Sequence, residues 1–383
     1  MSTLLLTGNY AAAYAVRDAE PDVISAYPIT PQTPVIEKIA EFIDSGELSA
    51  RFVRVESEHS AMAALIGAAG VGARTYTATS SQGLFYMYEV LWWAAGARLP
   101  IVMGIVMRAL GPPWSIWTEH SDFYALRDSG WNLFMASSAQ EVYDLSLVAF
   151  KVAEDPEVLL PTAVGWDAFE VSHTYEPVSM LSKDQVRRVL PPKGSWKAPL
   201  AADDPASLGN LAYPEEYIRI RYEMKRASDR ARSVIKKVLD EYSKISGRNY
   251  SFFECKYCED ADTVFVVQGS IYGETLKAVE KLRGSGEKVG VLKLWLYRPF
   301  PYIEVSKALE GAKRVVALPR ASTFGGVSAI GADLSFTVNL NQGRQQVFDV
   351  SVGVGGVDVT ARDVEAIYKS ILTGSERVFW RVV

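Results

Sequence analysis

Apolar runs and amphipathic stretches alternate along the first part of the chain in a pattern that predicts α/β structure. Between Asp22 and about Trp166, several runs are apolar throughout, which is typical of parallel strands buried on both faces. The predicted strands are DVISAY, RFVRV, RTYTAT, PIVMGIVM, NLFMA and EVLLPTAV. The predicted helices between them are TPVIEKIAEFID, SAMAALIGAAGVGA, LFYMYEVLWWAAGA and AQEVYDLSLVAFKVAED. This order predicts a doubly wound parallel sheet.

The pattern changes after about residue 175. A proline- and glycine-rich stretch up to about residue 210 predicts an irregular connector. A long helix follows, with Pro214 suited to its first turn and Gly247 suited to its C-cap. One apolar stripe indicates that a face of this helix packs on a domain, and it comprises Tyr217, Ile220, Met224, Ala227, Val234, Val238 and Tyr242.

A second alternation predicts a further α/β unit near the end of the chain. Its predicted elements are the strand DTVFVVQGS, the helix YGETLKAVEKLRGSG, the strand KVGVLKLWLY, the helix IEVSKALEG and the strand RVVALP. The sequence therefore predicts three segments, which are a first domain at 1–170, a connector with the long helix at 171–258, and a smaller second domain at 259–383.

Composition excludes some classes of function. The net charge of −5, with no basic run interleaved with aromatic residues, argues against a nucleic-acid surface. The apolar run at the N-terminus is too short for a membrane segment or a signal sequence, and only two cysteines are present, so we expect a cytoplasmic protein. Cys255 and Cys258 form a lone C-x-x-C pair, which is half a zinc or cluster site, and we predict no metal site in this chain.

A proline-rich turn, SAYPITPQTP, follows the first predicted strand. Thr30 lies between Pro28 and Pro31, and each proline fixes φ and removes an amide donor, so the turn is stiff. Ligands of open α/β sheets bind outside the carboxyl ends of strands, so a rigid Thr30 hydroxyl there is a candidate ligand contact. The alternative is that Thr30 is only the N-cap of the next helix.

Two charged residues occupy similar positions after other strands. Glu58 opens a helix made largely of alanine and glycine, and the alternative to a catalytic role is simple charge complementarity with the helix N-terminus. Arg108 ends the apolar strand PIVMGIVM, where a guanidinium group can clamp a carboxylate, and the alternative is a surface ion pair. His120 and Asp122 lie in the following loop without metal-ligand spacing, so we expect His120 to be a hydrogen-bonding residue.

Five ordered motifs together resemble a known family. YPITPQTP, VESEHSAM, TATSSQGL, MRALGPPWSIWTEHSD and LLPTAVGWDAFEVSHT resemble the alpha subunit of pyruvate:ferredoxin oxidoreductase, within the 2-oxoacid:ferredoxin oxidoreductases. The resemblance extends over nearly the whole chain. It implies a thiamine diphosphate pyrimidine-binding domain, a long connector helix and a transketolase C-terminal-like α/β domain.

The resemblance also implies roles for single residues. Glu58 matches the glutamate that hydrogen-bonds N1′ of the thiamine aminopyrimidine, and so becomes the candidate catalytic residue. Thr30 and Arg108 match the residues that hold the carboxylate and 2-oxo group of the substrate. Tyr27, Pro28 and Gln82 are implied to contact the cofactor together with Glu58.

Two features expected of the complete enzyme are absent from this sequence. No Gly-Asp-Gly motif is present to anchor the diphosphate and Mg²⁺, and two cysteines cannot supply the four thiolates of a [4Fe–4S] cluster. The resemblance therefore implies that thiamine diphosphate is shared with a beta subunit that carries Mg²⁺. It implies gamma and ferredoxin-like delta subunits for the clusters, with ferredoxin or another electron acceptor, coenzyme A and a 2-oxo acid as further partners.

The expected reaction is oxidative decarboxylation of a 2-oxo acid to its acyl-CoA, with pyruvate as the first expectation. The sequence departs from the family around Gly111 to Trp117, and Trp114, Trp117 and Trp131 are candidates to line a pocket for a branched or aryl 2-oxo acid. Such alternative substrates are 2-oxoisovalerate and phenylglyoxylate. Two other hypotheses are a non-redox thiamine decarboxylase subunit and a non-catalytic scaffold.

Overall fold

The computed structural model describes residues 2–321, 323–340, 342–374 and 376–382. The first part of the chain contains β1 (Thr3–Leu6), α1 (Gly8–Ala19), β2 (Val23–Ala26), α2 (Thr33–Asp44), β3 (Arg51–Arg54), α3 (Glu58–Gly70), β4 (Thr75–Thr79), α4 (Ser81–Tyr86), α5 (Tyr88–Gly96), β5 (Ile101–Met107), α6 (Ser121–Tyr124), β6 (Asn132–Ala136), α7 (Ala139–Ala153), β7 (Thr162–Asp167), β8 (Glu176–Ser179), α8 (Lys183–Val189) and α9 (Pro214–Ser246). The second part contains β9 (Phe253–Lys256), β10 (Thr263–Val267), α10 (Tyr272–Gly284), β11 (Val289–Leu294), β12 (Leu296–Arg298), α11 (Tyr302–Ala308), β13 (Arg314–Ala317), α12 (Ala329–Leu340), β14 (Gln346–Ser351), α13 (Ala361–Thr373) and β15 (Val378–Trp380).

The larger sheet has seven strands in the order β12-β6-β7-β5-β4-β2-β3. Every neighbouring pair is parallel except β12 and β6. The chain starts near one edge, adds β3 outward and then returns across the sheet, which confirms the doubly wound arrangement. Strands β4 and β5 are buried along their whole length, and the apolar run of β5 predicts its burial. Because β5, β4 and β2 are neighbours, the segments after their carboxyl ends meet at one edge of the sheet.

One predicted strand is wrong, because the run KVGVLKLWLY belongs to two sheets. Its first half is β11 of the second sheet, and its last residues are β12, which pairs antiparallel with β6 of the first sheet. The change of sheet occurs at Trp295, whose N–H donates to the Phe252 carbonyl and whose carbonyl accepts from Met135 N–H. A continuously apolar run does not reveal this crossing, since both halves are buried.

The long helix α9 begins and ends as predicted. Pro214 lies in its first turn, and Gly247 adopts φ 74°, which is the left-handed conformation that glycine favours at a C-cap. The predicted apolar stripe packs only from Met224 onward. Tyr217 and Ile220 are 51% and 47% exposed, so the first two turns of α9 extend away from the described part of the chain.

Two elements near the N-terminus were not predicted. Helix α1 begins after Thr7, whose side chain accepts from Tyr10 N–H, and its buried alanines pack on α7. Strand β1 pairs antiparallel with β8 in a separate two-stranded sheet. The alanine-rich α1 is buried on both sides, so its sequence lacks the charged face by which an amphipathic helix is recognised.

The second sheet has six strands in the order β15-β14-β13-β10-β11-β9. All are parallel to their neighbours except β9, so this unit is also a mainly parallel α/β domain. Cys255 in β9 forms a disulfide with Cys258, which removes both thiolates as metal ligands. Within the described ranges, no helix combines the length and the apolar character needed to span a bilayer.

Buried charged groups join the two units. Asp167, at the end of β7, accepts hydrogen bonds of 2.6 Å from Ser270 N–H and from His120 Nε2. Arg320, which is 1% exposed, donates to Glu170 at 2.6 Å and to Ser270 Oγ at 3.1 Å. The loop after β5 is therefore held between the two units, as expected for the hydrogen-bonding role of His120.

Candidate active site

The proline-rich turn after β2 is fixed by side chains from outside it. Asn9, fully buried on α1, donates from Nδ2 to the Pro31 carbonyl at 2.8 Å. Gln32 accepts from Ile29 N–H at 3.3 Å through Oε1. Gln32, not Thr30, is the N-cap residue of α2, so the interpretation of Thr30 as a helix cap is wrong. The Thr30 side chain is exposed at the edge of the sheet.

Arg108 joins the turn after β2 to the segment after β4. Its Nη1 donates to the Thr30 carbonyl at 2.7 Å, and its Nη2 lies 3.5 Å from Gln82 Oε1. The guanidinium group is 6% exposed, and burial lowers the pKa of Arg108. No carboxylate of the described residues forms a salt bridge with it, so the surface ion pair considered as the alternative is absent there. The charge of Asp122 raises the pKa of Arg108 without a direct salt bridge. A buried guanidinium group in this position suits an incoming carboxylate.

Glu58 is the first residue of α3, directly after the N-cap Ser57. Its side chain is 6% exposed, and burial raises the pKa of the carboxyl group. No other residue in the described ranges donates a hydrogen bond to it. Its own backbone N–H lowers that pKa, but burial outweighs this effect. Charge complementarity with the helix N-terminus alone therefore does not explain why the carboxyl group is buried. The environment fits the binding of N1′ of an aminopyrimidine, because it favours a shared proton over a free negative charge.

The helix α4 brings its backbone against Glu58. A Cβ atom added to Gly83 would lie 2.5 Å from Glu58 Oε1 and 2.6 Å from Thr79 Oγ1. The sequence analysis did not select Gly83. Its position in the first turn of α4, directly after the buried strand β4, is a signal that another group packs closely against the backbone there. The predicted single helix LFYMYEVLWWAAGA is instead broken at Met87 into α4 and α5.

Of the expected cofactor contacts, Gln82 lies beside Arg108. Tyr27 is 40% exposed directly after β2. Pro28 lines a groove of about 460 Å³ beside the edge strand β3, together with Thr33 and Phe52. At this sheet edge, Arg108 therefore links Thr30 and Gln82.

The three tryptophans expected to line a pocket have different environments. Trp131 is buried in the core, where its Nε1 donates to the Leu91 carbonyl at 2.9 Å, so its assignment to a pocket is wrong. Trp117 packs on Phe169 with ring centroids 4.4 Å apart. Trp114 lies over Gly111 and is 71% exposed. Only Trp114 and Trp117 belong to the loop that follows Arg108.

No group of three or more candidate metal ligands occurs among residues 2–321, 323–340, 342–374 and 376–382.

Comparisons with known proteins identify both units. Residues 14–240 match the family described as "Pyruvate flavodoxin/ferredoxin oxidoreductase, thiamine diP-bdg", and residues 261–364 match "Pyruvate:ferredoxin oxidoreductase core domain II". Ketoisovalerate oxidoreductase subunit VorA of Pyrococcus abyssi is 47% identical over 95% of this chain and 92% of its own. Pyruvate synthase subunit PorA of Methanothermobacter thermautotrophicus is 40% identical over 98% of this chain and 97% of its own.

Solved structures agree on the fold. A 2-oxoglutarate:ferredoxin oxidoreductase from Magnetococcus marinus superposes with a TM-score of 0.73 at 19% identity, over 96% of this chain and 65% of that longer chain. A split-gene transketolase superposes with a TM-score of 0.58 at 13% identity, over 96% of this chain and 98% of its own. The chain belongs to the alpha subunits of the 2-oxoacid:ferredoxin oxidoreductases, a family of enzymes with a thiamine diphosphate-binding α/β domain and a second α/β domain.

Proposed function

We propose that this chain supplies the pyrimidine-binding and carboxylate-binding half of an active site that oxidatively decarboxylates a branched-chain 2-oxo acid, such as 2-oxoisovalerate, to its acyl-CoA. The observation that carries the proposal is the position of Arg108. Its guanidinium group, which forms no salt bridge with the described residues, donates to the Thr30 carbonyl and lies beside Gln82. At the same sheet edge, Glu58 is buried and accepts no hydrogen bond from another described residue.

Each residue has one task in this proposal. Bound thiamine diphosphate supplies a nucleophilic carbon and stores the electron pair released by decarboxylation. Glu58 holds a proton at N1′ of the pyrimidine, which the raised pKa of its carboxyl group favours. Arg108 binds the substrate carboxylate through parallel N–H donors, and the fixed turn orients Thr30 toward the 2-oxo group. Tyr27, Pro28 and Gln82 remain proposed cofactor contacts.

Two observations support a branched substrate. The loop after Arg108 presents Trp114 and Ile116, which are 71% and 39% exposed and can cover an aliphatic side chain. VorA relatives named for ketoisovalerate are 46–47% identical to this chain, whereas the PorA relatives named for pyruvate are 40–44% identical. Pyruvate, the first expectation from the sequence, is the second candidate because both groups of relatives span most of the chain.

Partner subunits are needed in this proposal. The chain contains no Gly-Asp-Gly motif and only two cysteines, so a beta subunit would anchor the diphosphate and Mg²⁺, and gamma and ferredoxin-like delta subunits would carry [4Fe–4S] clusters. Apolar side chains of α4, the helix whose Gly83 lies against Glu58, are available for such contacts, with Phe85 43% and Tyr86 62% exposed. A cytoplasmic location stays a prediction, as ferredoxin is the proposed acceptor.

Calorimetric titration tests the shared site. We expect the isolated chain to bind thiamine diphosphate weakly in the presence of Mg²⁺, because the diphosphate anchor is on the partner, and we expect the co-expressed complex to bind it tightly. Tight, magnesium-dependent binding to the isolated chain would contradict the shared site.

A substrate series tests the acyl group. CoA-dependent ferredoxin reduction by the complex is measured with 2-oxoisovalerate, pyruvate and phenylglyoxylate. We expect the highest kcat/KM for 2-oxoisovalerate, and we expect Trp114→Ala to reduce that preference while Trp131→Phe, a core control, leaves it unchanged. A preference for pyruvate that Trp114→Ala does not alter would reject the branched-chain assignment.

A further inference from the structure

Asp122 binds the backbones of two segments that carry ligand-facing side chains. Its Oδ2 accepts from Ser81 N–H at 2.9 Å and from Arg108 N–H at 3.1 Å. Its Oδ1 accepts from Phe123 N–H at 2.7 Å. The side chain is fully buried, so these three donors replace water around the carboxylate.

Ser81 strengthens this connection between the segments after β4 and β5. Its hydroxyl lies 2.6 Å from the Ala109 carbonyl and 2.6 Å from Gln82 Oε1. Ser81 also has φ +48°, which a residue other than glycine adopts only when surrounding contacts hold it there. The carboxylate of Asp122 holds the Ser81 N–H in that conformation, directly before Gln82.

We propose that Asp122 is a positioning residue for substrate capture, because one of its oxygens fixes the Arg108 backbone and the turn that carries Gln82 at a common point. The proposal rests on the proposed function of Arg108 as the clamp for the substrate carboxylate. It assigns no direct contact with the substrate to Asp122. Without the shared acceptor, the backbone N–H groups of Ser81 and Arg108 are buried without a hydrogen-bond partner, and the segments after β4 and β5 can separate.

The charge state of Asp122 matters for this role. Burial raises the pKa of Asp122 to about 7, the N–H groups of Arg108, Ser81 and Phe123 lower it, and the charge of Glu119 raises it. The charge of Asp122 in turn raises the pKa of Arg108. Arg127 and Asp128 lie in the helical turn that follows α6, whereas the helix α4 and the strand β5 packed on α6 carry no Asp, Glu, Lys, Arg or His. Protonation of the Asp122 carboxylate turns one of its oxygens from a hydrogen-bond acceptor into a donor. We therefore expect its hydrogen bonds to Ser81 N–H and Arg108 N–H to weaken as pH falls through about 7.

Asp144 provides a matched control. It is another fully buried aspartate of this chain, and it binds Tyr242, Arg248 and Tyr250 at 2.5 to 2.7 Å. These contacts join α7 to α9 and the segment after it, so Asp144→Asn disturbs a buried carboxylate network that does not include Arg108 or Gln82.

The test measures binding and turnover in the assembled enzyme. Oxamate, an unreactive analogue that keeps the carboxylate and 2-oxo groups of pyruvate, is titrated calorimetrically into wild type, Asp122→Asn, Asp122→Ala and Asp144→Asn, and KM and kcat are measured for the preferred 2-oxo acid. We expect Asp122→Ala to raise Kd and KM by roughly 10- to 100-fold, the range for misplacement of a binding group by up to about 1 Å. Asp122→Asn keeps one shared carbonyl acceptor and is expected to lie between wild type and alanine.

The pH dependence provides a second readout that loss of stability alone would not produce. We expect wild-type kcat/KM to fall below about pH 7 more steeply than that of Asp122→Asn. If Asp122→Asn and Asp122→Ala bind oxamate within twofold of wild type and keep its pH profile, Asp122 has only a structural role, even if both variants are less stable. If the wild-type complex oxidises no 2-oxo acid, the proposed function itself fails, whereas failure of the Asp122 proposal alone leaves wild-type turnover intact. Should Asp122→Ala not assemble, Asp122→Asn decides the outcome.

Discussion

Substitution of Gly83 by alanine tests whether Glu58 needs its observed position. The added Cβ would lie 2.5 Å from Glu58 Oε1, whereas ordinary contacts begin at 3.4 Å. The carboxyl oxygen must therefore move by roughly 0.9 Å if the backbone stays in place, and a misplacement of about 1 Å costs on the order of 100-fold in rate. The backbone has little freedom to retreat, because Ser80 Oγ donates to the Val106 carbonyl at 2.6 Å and Ser81 N–H to Asp122 at 2.9 Å.

We therefore expect Gly83→Ala to lower kcat of the assembled enzyme by roughly 10- to 100-fold. Overpacking typically destabilises a protein by about 1–3 kcal/mol. The higher helix propensity of alanine offsets about 1 kcal/mol of this loss, so the variant is expected to fold. Gly273→Ala is the control, since its Cβ meets no atom within 4 Å in a helix of the second unit. The assays are steady-state turnover and thermal unfolding of both variants. Wild-type kcat in a folded Gly83→Ala enzyme would refute the requirement for this position of Glu58.

Three further predictions concern the same edge of the sheet. Arg108→Lys keeps the charge but loses the planar fork, so we expect kcat/KM to fall by the equivalent of roughly 1.5–3 kcal/mol for every 2-oxo acid, measured by initial rates, and unchanged values would place the clamp elsewhere. The pKa of Asp122 is raised from 3.8 to about 7, so between these pH values the folded state keeps a proton that the unfolded state has lost. As pH rises from about 4 to 7, we therefore expect the unfolding free energy of wild type to fall relative to that of Asp122→Asn. The full difference is on the order of 4 kcal/mol at 1.36 kcal/mol per pKa unit, measured by urea unfolding of the chain, and parallel pH curves for the two proteins would contradict the raised pKa. For Trp117→Ala, which loses the contact with Phe169, we expect lower thermal stability, and unchanged unfolding would mean that this contact contributes nothing.

The fold was largely predictable because several of its strands are apolar throughout and its long helix carries recognisable start and stop signals. β5 is a buried parallel strand, and the C-cap at Gly247 follows from the left-handed backbone that glycine favours. The crossing at Trp295 was not predictable, since strand periodicity carries no information about which sheet a buried strand joins. The first turns of α9 were predicted to pack on a domain, but they are exposed. An apolar stripe indicates that a helix face packs on something, but it does not show whether the partner surface belongs to the same chain.

The candidate site was predictable in part, at the positions where a side chain follows a buried strand. Thr30 and Arg108 follow the ends of β2 and β5, the strands on either side of β4, and the structure brings the Thr30 carbonyl within 2.7 Å of Arg108. Gly83 and the shared contacts of Asp122 depend on distances between separate segments, which spacing along the chain does not encode. Trp131 was wrongly assigned to the pocket because an indole ring in the core and one at a pocket have the same sequence signal.

Exchange of the C2 proton of bound thiamine diphosphate, followed by NMR in the assembled enzyme, tests the central claim most directly. The claim is that Glu58 of this chain activates the cofactor while Arg108 only captures substrate. We expect fast exchange in wild type and in Arg108→Lys, and exchange slowed by at least about 100-fold in Glu58→Gln, because an amide cannot share a proton with N1′ as a carboxyl group does. Unchanged exchange in a folded, cofactor-loaded Glu58→Gln enzyme would remove Glu58 from the chemistry and contradict this account.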